Sequence, residues 1–332
     1  MVTGLPSLKG LKILITGGLG FIGSNLADKC LELGAEVTIY DYLDPNSGGN
    51  TYNVSHIKDR VEIVLGNILN FEDICQHIKG KDVIFNCAAS SSHSFSMREP
   101  WADLDVNGRG VINLLEAARQ FTPKIKFIHI GTTTQMGRLQ YTPADECHPE
   151  FPTDIYSANK SVSEKYVLIY NRAYKIPATV VRLPNVFGPR ACINSSDFTF
   201  VNYFIGLALQ DKEVTVYGKG AQLRNLIYID DCVSALIMAS QSKNVNGEVL
   251  FAAGDEHYKL LEIAAIIIKH IGFGKIKSID WPTERKSIEV GDAIISNEKI
   301  KRMLGWKTEN NIEVGLVKTK NYYENCLEHY LR

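Results

Sequence analysis

The sequence has no CxxC pair, no apolar run of membrane-spanning length, no basic stretch interleaved with aromatics, and a formal net charge of only −1. Each absence excludes something. Without a basic surface, nucleic acid is not an expected partner. Without a long apolar run, no membrane-spanning helix is expected. The seven cysteines, at 30, 75, 87, 147, 192, 232 and 326, are scattered and odd in number. This pattern points to reduced thiols in the cytoplasm rather than a disulfide framework or a zinc site. The opening MVTGLPSLKG also lacks the apolar stretch of a secretion signal. No His, Asp or Glu cluster has metal-ligand spacing, so no metal is expected.

What is present is an alternation of two patterns. Short apolar runs read as buried strands at 11–16, 35–40, 61–65, 82–87, 125–130, 178–183 and 248–251. Helical patterns lie between them, notably 21–33, 101–120 and 154–174. Parallel strands need a crossover helix, so this order predicts an α/β fold, a doubly wound parallel sheet of the Rossmann type with a smaller C-terminal substrate-binding domain. The expected cofactor domain covers 1–183, with about 226–254 returning to it; 184–225 and 255–332 would form the substrate half. A ligand crevice is expected beyond the carboxyl ends of the strands.

Between the first strand and helix stands TGGLGFIG at 16–23. Gly17 permits a tight turn and Gly20 lets a pyrophosphate approach the backbone. The N–H groups of Phe21 and Ile22 lie at the helix start, where anions are favoured. Three glycines alone fit a plain turn equally well; the strand before and the helix after favour a dinucleotide loop. Asp41 closes the second strand, where a carboxylate accepts ribose hydroxyls and repels a 2′-phosphate, which favours NAD; it also fits as the start of a turn. Tyr156 and Lys160, in YSANK, are four apart and share a helix face. A nearby cation lowers a phenol's pKa, making Tyr156 a candidate base for a sugar hydroxyl. By itself the pair also fits an ordinary surface contact.

Taken together, TGGLGFIG at 16–23, YSANK at 156–160 and NVFGP at 185–189 resemble the extended short-chain dehydrogenase/reductase family, within its NAD-dependent sugar epimerase/dehydratase group. The resemblance runs from about residue 11 to LGWK at 304–307. It implies an NAD enzyme acting on a nucleotide-diphosphate sugar, most simply a UDP-sugar, and a homodimer paired through the helices at 101–120 and 154–174. It implies further cofactor contacts at Asn67, Ile68, Ala88, Ala89, Ser90, Asn107 and Pro184, with Asn67 standing where the family usually has Asp. Thr132 matches the hydroxyl that holds the sugar oxygen beside the tyrosine. His93, Ser94, Thr133, Asn185, Tyr217, Arg224 and Arg285 are the implied substrate contacts. Tyr217 fits core packing as well, and Lys286 competes with Arg285 for its position. His93 stands where valine is usual; a substrate contact, a proton-transfer role and a plain loop histidine all remain open. Dehydratases of this group carry Asp and Glu after the threonine, whereas this chain has Thr133 and Thr134, which do not ionise. Return of hydride to the opposite face, a C4 epimerisation, is the simplest outcome. The intact Tyr156–Lys160 pair argues against a non-catalytic NAD sensor.

Overall fold

A computed structural model describes residues 4–331 apart from 284, 285, 287 and 288. Strands β1 (Lys12–Thr16), β2 (Glu36–Asp41), β3 (Glu62–Leu65), β4 (Val83–Asn86), β5 (Lys126–Thr132), β6 (Ala178–Leu183) and β10 (Val249–Phe251) form one parallel sheet in the order β10-β6-β5-β4-β1-β2-β3. The central strands are buried on both faces; every residue of β4 and β6 is inaccessible or nearly so. That is why they read as unbroken apolar runs rather than alternating ones. Strand order reverses between β1 and β4, so the helices leaving their ends diverge and open a crevice. The chain is a Rossmann-type α/β protein.

Helices α1 (Phe21–Glu32), α5 (Gly110–Phe121) and α6 (Ile155–Tyr174) cover the sheet. The sequence pattern treats 101–120 as one regular helix. In the structure α4 (Pro100–Leu104) meets α5 through a π-helical turn, Asp105–Arg109. That extra residue per turn swings buried Asn107 back toward the β4 end.

Beyond Leu183, three-residue β7 (Asn185–Phe187) and β11 (His257–Lys259) flank β9 (Leu223–Tyr228), and β8 (Glu213–Tyr217) pairs with β12 (Lys275–Ile279). The three-residue strands β7 and β11 leave no period to read in a sequence. Between them, α8 (Ile229–Gln241) packs on α1 and on β5 and β6, and β10 joins the sheet beside β6. Helices α7 (Phe200–Leu209) and α9 (Leu260–Ile271) pack together outside it. One apolar core runs continuously from Ile13 and Ile15 through Ile205, Leu236 and Ile267. No helix among the described residues is long and apolar enough to cross a membrane.

Candidate active site

The first strand ends in a turn that only glycine fits. Gly17 has φ +67°, and a Cβ there would lie 2.7 Å from the Ala88 nitrogen; one at Gly23 would lie 2.3 Å from the Gly17 oxygen. These contacts bring the α1 N-terminus against the β4 end. No side chain caps α1, so its first N–H groups face the crevice for an anion. Asp41 Oδ2 accepts the Leu19 N–H at 2.9 Å and Oδ1 the Leu43 N–H at 2.8 Å. Its carboxylate therefore shapes the glycine loop and still lines the crevice, with lone pairs left for hydroxyls.

The crevice encloses a cavity of about 530 Å³. It brings together Gly17, Gly20, Phe21, Ile22, Asp41, Asn67, Ile68, Ala88, Ala89, Ser90, His93, Thr132, Thr133, Tyr156, Lys160, Pro184 and Asn185, residues drawn from across half the chain. Asn107 does not line it. Its amide instead donates to the Ser90 carbonyl at 2.8 Å, holding the 88–90 segment from behind. Asn67 Oδ1 accepts the Leu69 N–H at 2.9 Å, a local turn that presents Ile68. The groove is the right kind of cradle for a dinucleotide: close backbone, an uncapped helix end, and a carboxylate at the second strand.

Three predicted substrate contacts lie apart from that cavity. Ser94 is hydrogen-bonded to Asp197, and Tyr217 packs against Trp281 with ring centroids 5.4 Å apart. Arg224 pairs with Glu289 at 2.6 Å and donates to the Leu223 and Gly291 carbonyls. Arg285 lies outside the described residues.

At the inner end of the crevice, Asp154 caps α6 by accepting the Ser157 N–H at 2.8 Å, and the first turns of that helix present Tyr156 and Lys160. Tyr156 is half-buried. Burial, with Asp154 and Asp103 adding to it, pushes its phenol above the ordinary range, while a hydrogen bond with the Thr132 hydroxyl opposes the rise. The sequence reading expects Lys160 to bring the phenol toward neutrality; the chain's own groups do the reverse, because desolvation outweighs every favourable contact. Lys160 is 3% exposed. Burial brings its ammonium down to about 8, against the opposing pull of Asp103, Cys87 and Glu164.

Below Lys160 runs a chain of contacts that sequence patterning does not reveal. The Thr16 hydroxyl donates to Asn86 Oδ1 at 2.8 Å, so the Asn86 amide nitrogen, 3.0 Å from His129 Nδ1, is the donor there. His129, fully buried and with its pKa well below the ordinary value through burial and Lys160, then carries its proton on Nε2. That N–H faces Ser163 Oγ at 3.3 Å and Lys160 Nζ at 3.5 Å. It gives the ammonium no acceptor, and among the described residues no other hydrogen bond holds the Lys160 ammonium, which lines the cavity. A second missed residue is Asp154, whose place before YSANK signals only a cap. Thr133 and Thr134 follow Thr132; Thr134 Oγ1 lies 3.0 Å from Thr132 Oγ1 and 2.9 Å from Ser157 Oγ. Among the described residues no group of three His, Cys, Asp or Glu side chains could hold a metal ion.

A glycine loop feeding a helix, an acid on the second strand and a Tyr–Lys pair on one helix face define a nicotinamide-dependent enzyme of the Rossmann class. Residues 13–253 match the model of the NAD dependent epimerase/dehydratase family, and the chain belongs to that family. Its cofactor is NAD. The chain is 32% identical over 316 residues to a provisionally named UDP-glucose 4-epimerase of Methanocaldococcus jannaschii, covering 94% of this chain and 98% of that protein. It is 31% identical over 328 residues to UDP-glucuronic acid decarboxylase 1 of Xenopus tropicalis, covering 96% and 73%. The UDP-glucose 4-epimerase of Thermotoga maritima, solved with UDP-glucose, superposes with a TM-score of 0.87 at 27% identity, covering 96% and 100%. Dehydratases also stand among the relatives. The chain is thus similar to enzymes that share a nucleotide-sugar scaffold and differ in the reaction that follows.

Proposed function

We propose that this protein is an NAD-dependent nucleotide-sugar 4-epimerase acting on a UDP-hexose through a transient 4-ketone. The observation that carries this reading is the pair Thr133–Thr134 beside the phenol. Neither hydroxyl ionises near neutrality, so these positions supply no acid or base for loss of water. NAD, when bound, accepts the C4 hydride and returns it. Gly17, Gly20, Phe21, Ile22 and Asp41 would hold it, with Asn67 and Ile68 at the adenine and Ala88, Ala89, Ser90 and Pro184 along its length. Lys160 would hold the nicotinamide ribose with its ammonium. Thr132 holds the sugar O4, and Tyr156 takes the C4 hydroxyl proton and later restores it. Return of hydrogen to the other face of the ketone inverts C4 with no net redox. Asn185, and Arg224 if a diphosphate displaces Glu289, would contact the nucleotide.

Residues 1–183 with 226–254 serve as the cofactor half in this reading, and 184–225 with 255–332 as the substrate half. All seven cysteines are free, which suits the reducing cytoplasm. A homodimer is part of the same proposal. Val162 and Ile169, two turns apart on α6, and Trp101 on α4 are large apolar side chains at 38%, 54% and 78% exposure; a second copy of these helices would cover them.

The test is incubation with UDP-glucose, UDP-N-acetylglucosamine and UDP-glucuronate. Epimerisation yields the C4 epimer at unchanged mass, and loss of water or carbon dioxide refutes it. Tyr156→Phe should lower kcat by roughly 10²- to 10⁴-fold; undiminished turnover would refute the mechanism.

A further inference from the structure

His93 lies on the same wall of the cavity as Tyr156 and is not used by the reaction above. Its Nδ1 is 2.8 Å from Asp154 Oδ2, and the Asp154 side chain is only 3% exposed. Burial opposes ionisation of that carboxyl, but His93 and the Ser157 N–H outweigh it, so Asp154 sits below the ordinary carboxylate range. An ionised Asp154 accepts the Nδ1 proton, and neutral His93 then has its lone pair on Nε2. No hydrogen bond from a described residue occupies that nitrogen. The ring is fixed from both sides. Its backbone carbonyl accepts the Ser96 hydroxyl at 2.8 Å, Ser96 Oγ accepts the Tyr156 N–H at 3.0 Å, and the imidazole meets the Tyr156 ring edge-to-face with centroids 4.9 Å apart. A buried carboxylate that selects one imidazole tautomer, on a residue that lines the cavity and has no described partner at its other nitrogen, is the arrangement of a general base. A plain loop histidine needs none of it.

We propose that His93 is a second proton-transfer group of this site, one that exchanges with solvent a hydrogen on a carbon adjacent to the C4 ketone. The proposal rests on the 4-ketone of the reaction above. Once C4 is a carbonyl, the hydrogens on C3 and C5 become acidic, because the electron pair left behind is delocalised onto O4. The C–H bond breaks, its proton goes to Nε2, and the pair becomes an enolate whose oxygen faces the Thr132 and Tyr156 hydroxyls. The imidazolium then returns a solvent-derived proton to the same carbon. Atoms and charge balance without any further reactant. A 4-epimerase without such a base leaves every C–H of the sugar unexchanged, since the C4 hydrogen travels as hydride.

The experiment supplies a UDP-4-keto-hexose, prepared beforehand, in D₂O to the NAD-loaded wild type, to His93→Gln and to Asp154→Asn, which keeps a capping side chain. Mass spectrometry and proton NMR of the recovered sugar read deuterium at C3 and C5. The wild type should take up deuterium at one of these carbons at least tenfold faster than His93→Gln, with Asp154→Asn between them. Equal rates in wild type and His93→Gln, or no enzyme-dependent uptake, overturn the proposal. Conversion of UDP-glucose to its C4 epimer, followed in parallel, separates the two readings. Epimerisation without exchange overturns the role of His93 alone. Exchange without epimerisation supports His93 and refutes the 4-epimerase.

Discussion

Lys160 carries a charge in a place that disfavours it. Burial brings its ammonium down to about 8, and His129 offers it an N–H rather than a lone pair. The consequence for stability has a definite sign. In the unfolded chain the lysine keeps its proton up to its ordinary value of 10.5. Between that value and about 8 the unfolded state therefore binds more protons, and folding stability rises with pH. Below about 8 the cost of the buried charge is present in full. Lys160→Met removes the cost along with the function. In NAD-free protein this variant should gain roughly 1–3 kcal/mol over wild type at about pH 7, an advantage that shrinks by about pH 9.5. Urea titrations at the two pH values check it; an advantage that does not change with pH would mean that folding leaves the lysine's proton affinity unaltered. Asp41 has a different double duty. Its loop-shaping bonds to Leu19 and Leu43 mean that its substitution disturbs the glycine turn as well as any ribose contact.

The helix that presents Tyr156 and Lys160 is held at its middle by a buried ion cluster. Arg182, on β6, is 2% exposed. It reaches Glu164 of α6 with Nε and Nη2, both at 2.7 Å, while Nη2 also meets Glu150, and the guanidinium lies 5.3 Å from the Phe251 ring centroid of β10. One side chain thus links β6, α6 and β10. Arg182→Met would leave the buried Glu164 carboxylate with only the Lys165 ammonium and the Gln135 amide, each at 3.1 Å. The expected loss is about 3–5 kcal/mol, read as a lower urea midpoint. A loss below about 1 kcal/mol would show that the cluster does not anchor α6. The π-helical turn at Asp105–Arg109 is another device at this scale, since it turns Asn107 onto the Ser90 carbonyl and so fixes one wall of the crevice.

For the molecule as a whole, the seven-stranded sheet and the C-terminal elements share one apolar core. The crevice is framed by both, with Asn185, Phe198 and Asn202 facing the cavity opposite the glycine loop. The outer faces of α4 and α6 keep Trp101, Val162 and Ile169 exposed. If these helices pair between two copies, wild type should sediment with the mass of a dimer and Ile169→Glu with that of a monomer, because a charge cannot be buried there unpaired. A monomeric wild type at micromolar concentration would dismiss the homodimer.

The parallel sheet, the glycine turn and the Tyr156–Lys160 spacing were legible in the sequence because they depend on local rules: apolar runs for doubly buried strands, missing side chains where backbones meet, and a four-residue step that keeps two groups on one helix face. The His129–Asn86–Thr16 chain, the Asp154–His93 pair and the commitment of Arg224 to Glu289 were not legible. Their partners lie 31 to 70 residues apart for the first chain, 61 for the pair and 65 for the arginine. No pattern in the sequence joins them. Only packing decides which polar groups share a buried volume, and therefore which of them keep a free donor or lone pair toward a ligand. Sequence determined the scaffold and the glycine turn; tertiary structure decided which buried polar groups pair with one another and which line the crevice.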